Sequence, residues 1–313
     1  MYRKALPEPV VKRAQQLGAE GLAWLDQIDA VTKNLLTKHD LAPGAVLHGG
    51  TESLVVEATT KSGELLVVKL GLPGSADLGR EALVYQLAEG SGYATLVAYE
   101  ADSNAIILER LGQPLEKEQR PHEEEIDVLC QCMARSWLLL SEPQAQTWQL
   151  MSGADKAQWH IDFLSDRAKA ISTPCPTQTL DLALQYAHAR KNAHNPDTAL
   201  LIHGDAHSLN TLKSDDGEYK FIDPEGLFAE KACDLSIPMR EYNAPLLEGN
   251  ILSNTLHRCE KLSQLTTVEP QGIWEWGYVE RVSTAFVLAD VGMREESDAT
   301  FAVANQINAD YRW

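Results

Sequence analysis

Two short stretches carry the residue types that move a phosphoryl group: His203-Gly204-Asp205-Ala206-His207-Ser208-Leu209-Asn210, and Phe221-Ile222-Asp223-Pro224-Glu225-Gly226. Asp205 and Asn210 are five residues apart and can curl into one loop. There the Asp accepts a proton from an attacking hydroxyl while the Asn reaches a metal. Asp223, at the end of the next strand, supplies a second metal oxygen. Mg²⁺ suits such a set because it takes oxygen ligands and bridges phosphates. Asp205 is therefore the expected base, and Asn210 and Asp223 the expected Mg²⁺ ligands. His203 reads as a brace of the loop, and His207 as either a second brace or a contact to phosphate or substrate. A lone His-Gly-Asp is usually a turn and a lone Ile-Asp-Pro a strand end; together, in this order, they point to one site.

A nucleotide end is expected upstream. Lys69 ends a strand, in Val67-Val68-Lys69, where a Lys reaches the α- and β-phosphates and pairs with a helix Glu. Glu81, at the start of the following helix, is the expected partner. Gly49, Gly50, Thr51 and Ser53 lie where a turn brings backbone amides and hydroxyls to phosphate oxygens. Glu109 to Leu111 would offer backbone groups to adenine. No Gly-Lys-Ser/Thr phosphate loop and no Gly-x-Gly-x-x-Gly after a strand is present, which disfavours a P-loop kinase or a dinucleotide enzyme.

The elements that must position these residues follow from periodicity. Residues 1–44 read as a helical extension, with Leu17, Leu22, Leu25, Ile28, Val31 and Leu35 at roughly helical spacing and Pro43-Gly44 as its stop. Residues 54–60 and 64–70 read as a hairpin, a helix follows from Arg80 to Glu89, and two strands lie near 94–100 and 104–110. Gly112-Gln113-Pro114 marks a boundary. Beyond it helices are expected at 121–141, 155–171, 178–193, 246–264 and 275–296, interrupted by short strands at 200–205, 210–213 and 219–223. The domain reading is thus 1–44, a nucleotide-binding lobe at 45–112, and a catalytic and substrate-binding lobe at 113–313.

The pattern His-Gly-Asp-x-His-x-x-Asn followed by Ile-Asp-x-x-Gly resembles the aminoglycoside phosphotransferase family. Ile222-Asp223-Pro224-Glu225-Gly226 through Asp234-Leu235 is similar to its streptomycin 6-phosphotransferase and hydroxyurea-kinase branch. So are the nucleotide turn at 49–53 and the hinge Leu108-Glu109-Arg110-Leu111. The resemblance covers residues from about 46 to 240. It implies an α+β, bilobal protein-kinase-like fold with a small β-rich N-terminal lobe and a larger, mainly helical C-terminal lobe. It also implies ATP and Mg²⁺ as cofactors, and Asp234 as the residue that hydrogen-bonds the catalytic loop. The implied reaction is transfer of the γ-phosphoryl group to a hydroxyl of a streptomycin-type antibiotic. Ala206 and Ser208-Leu209 depart from the family's loop, and Glu225 stands where the branch has Lys, reversing the charge beside Asp223.

The acceptor is placed only by nearness in sequence, at Glu225, Glu230, Glu241, Tyr242 and Asn243; in the C-terminal helix Glu280, Arg281 and Asp290 read as cleft-facing or, more often, solvated helix residues, with Trp274 and Trp276 nearby. Carboxylates suit an amine- or guanidine-bearing acceptor. A metabolic kinase for a sugar, amino sugar or amino alcohol fits the same motif, and a nucleotide-binding pseudokinase is the non-enzymatic alternative. Lys plus Arg total 27 against 45 Asp plus Glu, a net charge of −18 that disfavours nucleic-acid binding. The five cysteines read as reduced thiols. No run of about 18 apolar residues and no apolar leader is seen, so neither a membrane partner nor export is expected, and the expected location is cytoplasmic.

Overall fold

Period-two alternation builds the first sheet. In β2 (Ser53–Thr59) and β3 (Leu65–Gly71), Leu54, Val56 and Ala58, and Leu66, Val68 and Leu70, are buried on one face. The two strands pair antiparallel with Val56 opposite Val68. The computed structural model describes residues 1–74, 77–169 and 175–310. Its chain divides into two compact units, Met1–Gly112 with Ser214–Ile222, and Gln113–Lys213 with Asp223–Trp313.

In the first unit, α1 (Glu8–Gln16) and α2 (Ala19–Lys38) precede β1 (Ala42–Leu47), then β2, β3, α3 (Leu78–Ala88), β4 (Leu96–Glu100) and β5 (Ala105–Glu109). The strands form one sheet in the order β1-β2-β3-β5-β4. This corrects the continuous helical reading of 1–44. The helix breaks at Gly18, with φ 65°, and the last residues of that span belong to β1. Pro43 is tolerated there because β1 is an edge strand with an irregular register between Pro43 and Val46. Nor do the helices stand apart: Val10, Ile28 and Leu35 share one apolar cluster with Leu54, Val56 and Val68.

The second unit is mainly helical. It holds α4 (His122–Ser136), β6 (Leu138–Leu139), α5 (Glu142–Thr147), β7 (Met151–Ser152), α6 (Gly153–Ala168), α7 (Thr177–Ala193), β8 (Leu200–Ile202) and β9 (Thr211–Lys213). The chain then returns to the first unit, where β10 (Tyr219–Phe221) donates from Phe221 N–H to the Gly92 carbonyl at 2.8 Å. It re-enters the second with β11 (Leu227–Ala229), α8 (Lys231–Arg240), α9 (Asn243–Leu246), α10 (Ile251–Thr266), α11 (Pro270–Asp290) and α12 (Arg294–Asp310). A small sheet runs β6-β8-β11-β7. The expected 121–141 helix stops at Ser136 because Trp137 is extended and leads into β6. The expected 275–296 helix is two helices parted at Gly292, with φ 85°. Residues 170–171, the end of the expected 155–171 helix, lie outside the described residues. Helix α8 has no counterpart among the expected elements: Ala232 through Met239 are all buried, so no polar stripe marks it, and Pro238 interrupts the pattern.

Helix α11 is the axis of this unit, with Trp274, Trp276 and Arg281 buried. It approaches α8 so closely that a Cβ on Gly277 would lie 2.4 Å from Met239 Cγ. All five cysteines are free and buried. Among the described residues no helix is long and apolar enough to cross a membrane.

Candidate active site

Strand β8 ends at Ile202 and feeds straight into His203-Gly204-Asp205. Leu227 of β11 pairs with Ile202, and Gly226 N–H donates to the His203 carbonyl at 3.1 Å. That pairing sets the Asp205 loop beside the turn that follows Asp223. Gly204 is required in the loop: its φ is 92°, and a Cβ there would meet Glu225 Cβ at 2.9 Å.

The loop is held from beneath by Asp234, which is fully buried near the start of α8. Its Oδ1 accepts from Gly204 N–H at 2.7 Å, and its Oδ2 from His203 N–H at 3.1 Å and Trp137 Nε1 at 2.9 Å. Burial raises the Asp234 carboxyl above its ordinary value, partly offset by His203 and these donors. His203 Nδ1 accepts the Asp205 N–H at 3.1 Å, so the ring braces the loop from within.

Asp205 is reached by two donors. Arg240 Nη2 lies 3.3 Å from its Oδ1, and His207 Nε2 lies 3.4 Å from its Oδ2. Burial pushes the Asp205 carboxyl up, but the His207 hydrogen bond and the charges of His207, Arg240 and His203 outweigh it and hold it at about 2. His207 Nδ1 accepts the Leu209 N–H at 3.2 Å, which leaves the proton on Nε2 facing Asp205. Burial lowers the His207 pKa, and its bond to Asp205 and that carboxylate's charge more than reverse this.

Asn210 Nδ2 donates to the Asp205 carbonyl at 3.2 Å, and among the described residues nothing donates to its Oδ1. Asp223 adopts φ 57°, a left-handed conformation uncommon outside glycine. An amide oxygen and a carboxylate are hard donors and fit Mg²⁺. Among the described residues no group of three His, Cys, Asp or Glu could hold a metal ion alone. Two protein ligands suit an ion that takes its other oxygens from phosphates and water.

In the first unit, Lys69 faces away from the Val68 and Leu70 side of β3, as alternation requires. Its Nζ donates to Glu81 Oε2 of α3 at 2.7 Å, and Tyr85 Oη donates to Glu81 Oε1 at 3.0 Å. Lys69 and Glu81 are 9% and 6% exposed, so this is a buried pair. Gly49, Gly50 and Thr51 lie exposed between β1 and β2, with Gly49 at φ 145°, while Ser53 is buried as the first residue of β2. The Glu109 side chain is not idle: it accepts from Thr95 N–H at 2.6 Å and from Lys220 Nζ at 2.5 Å, joining β5 to β10. The Leu111 carbonyl accepts from the Arg110 guanidinium.

The acceptor candidates separate. Glu225 pairs with Lys156 at 3.2 Å. Glu230 is held by Arg190 at 3.4 Å and by Trp276 Nε1 at 2.8 Å. Glu241 follows α8 directly. Its carboxyl is raised by burial against the pull of Arg240 and His207, and no described residue donates to it. Tyr242 donates to Glu125 at 2.8 Å, and Asn243 donates to Thr300 at 2.8 Å. Arg281, Trp274 and Trp276 are core residues, so Arg281 is neither the cleft-facing nor the solvated helix residue that its sequence position suggests. Arg281 donates to the Met239 carbonyl and to Asn243, and burial pushes its pKa down to about 9. Asp290 pairs with Arg167 at the exposed end of α11.

Sequence reading misses Arg240, His160 and Lys156. The other nitrogen of Arg240, Nη1, donates to Glu280 Oε2 at 3.0 Å. Glu280 Oε1 lies 3.0 Å from His160 Nε2 and 4.0 Å from Lys156 Nζ. Burial raises the Glu280 carboxyl, but His160, Lys156 and Arg240 together take it well below the ordinary range. The start of α6 is fixed by a capping box, in which Ser152 Oγ accepts Asp155 N–H and Asp155 Oδ2 accepts Ser152 N–H, each at 3.0 Å. Ser152-x-x-Asp155 is the local signal for where the helix of Lys156 and His160 begins.

Comparisons with known proteins bear on this site. The sequence pattern of the aminoglycoside/hydroxyurea antibiotic resistance kinase family matches residues 38–292. A streptomycin 6-kinase from Streptomyces glaucescens is 25% identical over 232 residues, 74% of this chain and 73% of that protein. Among solved structures, a choline kinase from Streptococcus pneumoniae superposes with a TM-score of 0.60 at 9% identity, covering 91% of this chain and 100% of that one. A spectinomycin phosphotransferase solved with ADP and spectinomycin superposes with a TM-score of 0.55 at 12% identity, covering 87% and 96%. These likenesses show the fold to be the α+β, bilobal protein-kinase-like one.

Proposed function

The chain belongs to the aminoglycoside/hydroxyurea antibiotic resistance kinase family and is a phosphotransferase acting on a hydroxyl group; on that premise we propose that its acceptor is a cationic, streptomycin-type aminocyclitol and its donor Mg·ATP. The observation that carries this reading is the arrangement around Asp205. The carboxylate is fixed by its own loop and by Arg240, and just past Arg240 stands the Glu241 carboxyl, to which no described residue donates and which burial raises. Asp205 orients the acceptor hydroxyl and takes its proton late, as a weak base can in a loose transition state. Glu241 binds an amine or guanidine of the acceptor. Asn210 and Asp223 would hold Mg²⁺, which when bound neutralises phosphate charge. Lys69, fixed by Glu81, contacts the α- and β-phosphates, and the Gly49-Gly50-Thr51 turn covers them with backbone amides. The hinge at Glu109 to Leu111 meets adenine.

The streptomycin kinase relative supports the antibiotic assignment. The test is ADP release with Mg·ATP against streptomycin, other aminoglycosides, hydroxyurea, choline, ethanolamine and amino sugars. Streptomycin-dependent release that falls at least ~10-fold in Glu241→Gln, through KM, is expected. Release with an amino alcohol or amino sugar alone would transfer the assignment to a metabolic kinase. Tight Mg·ATP binding with no release on any acceptor would favour a pseudokinase.

A further inference from the structure

We propose that Arg240 is the positioning residue of the base, a guanidinium that clamps Asp205 to a buried carboxylate, Glu280. This rests on the reading of Asp205 as the base. The geometry is a fork with one prong on each acid: Nη2 to Asp205 Oδ1 at 3.3 Å and Nη1 to Glu280 Oε2 at 3.0 Å. The planar guanidinium fixes its donors in direction, one on each carboxylate. A lysine ammonium in the same place is a single point charge and would favour one of them.

Arg240 is itself held. Glu280 is 5% exposed on α11, and its second oxygen takes His160, which is 1% exposed. His160 Nδ1 lies 2.9 Å from Ser283 Oγ, one turn further along α11. Lys156, one turn before His160 on α6, adds a second cation near Glu280 and bonds Glu225. The backbone around Arg240 is fixed as well. Arg281 donates to the Met239 carbonyl, and Arg258 donates to the Glu241 and Tyr242 carbonyls. These arginines meet the C-terminal end of α8, where carbonyls lack helical partners and cations are favoured.

One helix therefore grips the catalytic loop at two points. Asp234, near the start of α8, holds the backbone at His203 and Gly204. Arg240, six residues and about 9 Å further along the axis, holds the side chain of Asp205. A single attachment would leave the carboxylate free to rotate about its side-chain bonds, and the second attachment removes that freedom. Without Arg240, the donor left on the carboxylate is the single His207 Nε2, at the longer distance of 3.4 Å.

The test is steady-state phosphoryl transfer by the full-length enzyme, with the best acceptor from the panel above, in Arg240→Met, Arg240→Lys and Asp205→Asn, alone and combined. Arg240→Met should lower kcat ~10²-fold, the loss typical of a misplaced reacting group, with KM for ATP and acceptor within about threefold. Arg240→Lys should recover part of this, to about tenfold below wild type. On the Asp205→Asn background, Arg240→Met should change the residual rate by less than about threefold, because a positioning residue has nothing left to position. Wild-type kcat in Arg240→Met overturns the proposal, as does a ~10²-fold loss that persists undiminished on Asp205→Asn. Should Arg240→Met fail to fold, Arg240→Lys decides, since an unchanged kcat there shows that the two-pronged geometry is dispensable. Failure of the underlying reading is distinct: Asp205→Asn would itself retain wild-type activity.

Discussion

Asp234→Ala should destabilise the protein by about 3–5 kcal/mol and unlock the Asp205 loop. The carboxylate accepts from three donors on two segments: Gly204 N–H at 2.7 Å and His203 N–H at 3.1 Å in the loop, and Trp137 Nε1 at 2.9 Å. Asp234 and His203 are both 0% exposed, so water cannot replace the lost acceptor without a local opening. The His203 and Gly204 N–H groups are buried and Trp137 is half-buried, so orphaning these donors costs about 1–3 kcal/mol each. The loss of about 3–5 kcal/mol typical of a broken buried charge contact lies within that sum. Asp234→Asn should fall between wild type and Ala, because it keeps one acceptor oxygen while its amide nitrogen confronts an N–H. The assays are the urea unfolding midpoint and hydrogen exchange of the His203 and Gly204 amides, with kcat expected to fall ~10²-fold as the loop loosens. Stability within about 1 kcal/mol of wild type, with exchange unchanged at Gly204, would refute the assignment of Asp234 as the loop's anchor.

Lys69→Met should lose about 3–5 kcal/mol by urea denaturation, since it removes the ammonium that neutralises the buried Glu81 carboxylate. Adding Glu81→Gln should restore much of that stability without restoring activity, and recovery of both together would argue against a phosphate role for Lys69. Gly204→Ala forces φ 92° on a residue with a Cβ and places that atom 2.9 Å from Glu225 Cβ. A loss of about 2–4 kcal/mol is expected from strain and overlap, with a matching fall in kcat; a wild-type melting temperature would contradict it. Burial raises the thiols of Cys130, Cys175 and Cys259 to about 12, so at about pH 8 the native protein should resist a disulfide reagent that titrates all five cysteines in urea. These folded pKa values lie above the ordinary one, so the associated stability is complete below about pH 8.5 and declines as pH rises toward about 12. Rapid native labelling of these sites would show that the burial is wrong.

What is legible in the sequence is local. Alternation exposes the β2–β3 hairpin, and the loop holding Asp205 and Asn210 spans a few residues. Lys69 and Glu81 are 12 residues apart, and it is the kinase pattern of a strand Lys paired with a helix Glu that joins them in the sequence. The links that fix the base are long-range. Arg240 reaches back 35 residues to Asp205 and forward 40 to Glu280, and His160 meets Glu280 across 120. No periodicity announces such contacts. Helix α8, which carries both Asp234 and Arg240, is buried along nearly its whole length, so it lacks the two-faced pattern by which a helix is recognised. The same lack of a polar face in α11 lets Arg281 read as cleft-facing or solvated when it lies in the core with Trp274 and Trp276. Pro43 and Gly44 read as a helix stop, but an edge strand tolerates both.

The measurement closest to the central claim is phosphoryl transfer from Mg·ATP to streptomycin by the wild-type enzyme and by Asp205→Asn, with Mg·ATP affinity measured alongside. The account predicts acceptor-dependent ADP release that collapses at least ~10²-fold in the variant while nucleotide affinity stays within about threefold. A variant that transfers phosphate at the wild-type rate, or a wild-type protein that binds no nucleotide, would contradict it.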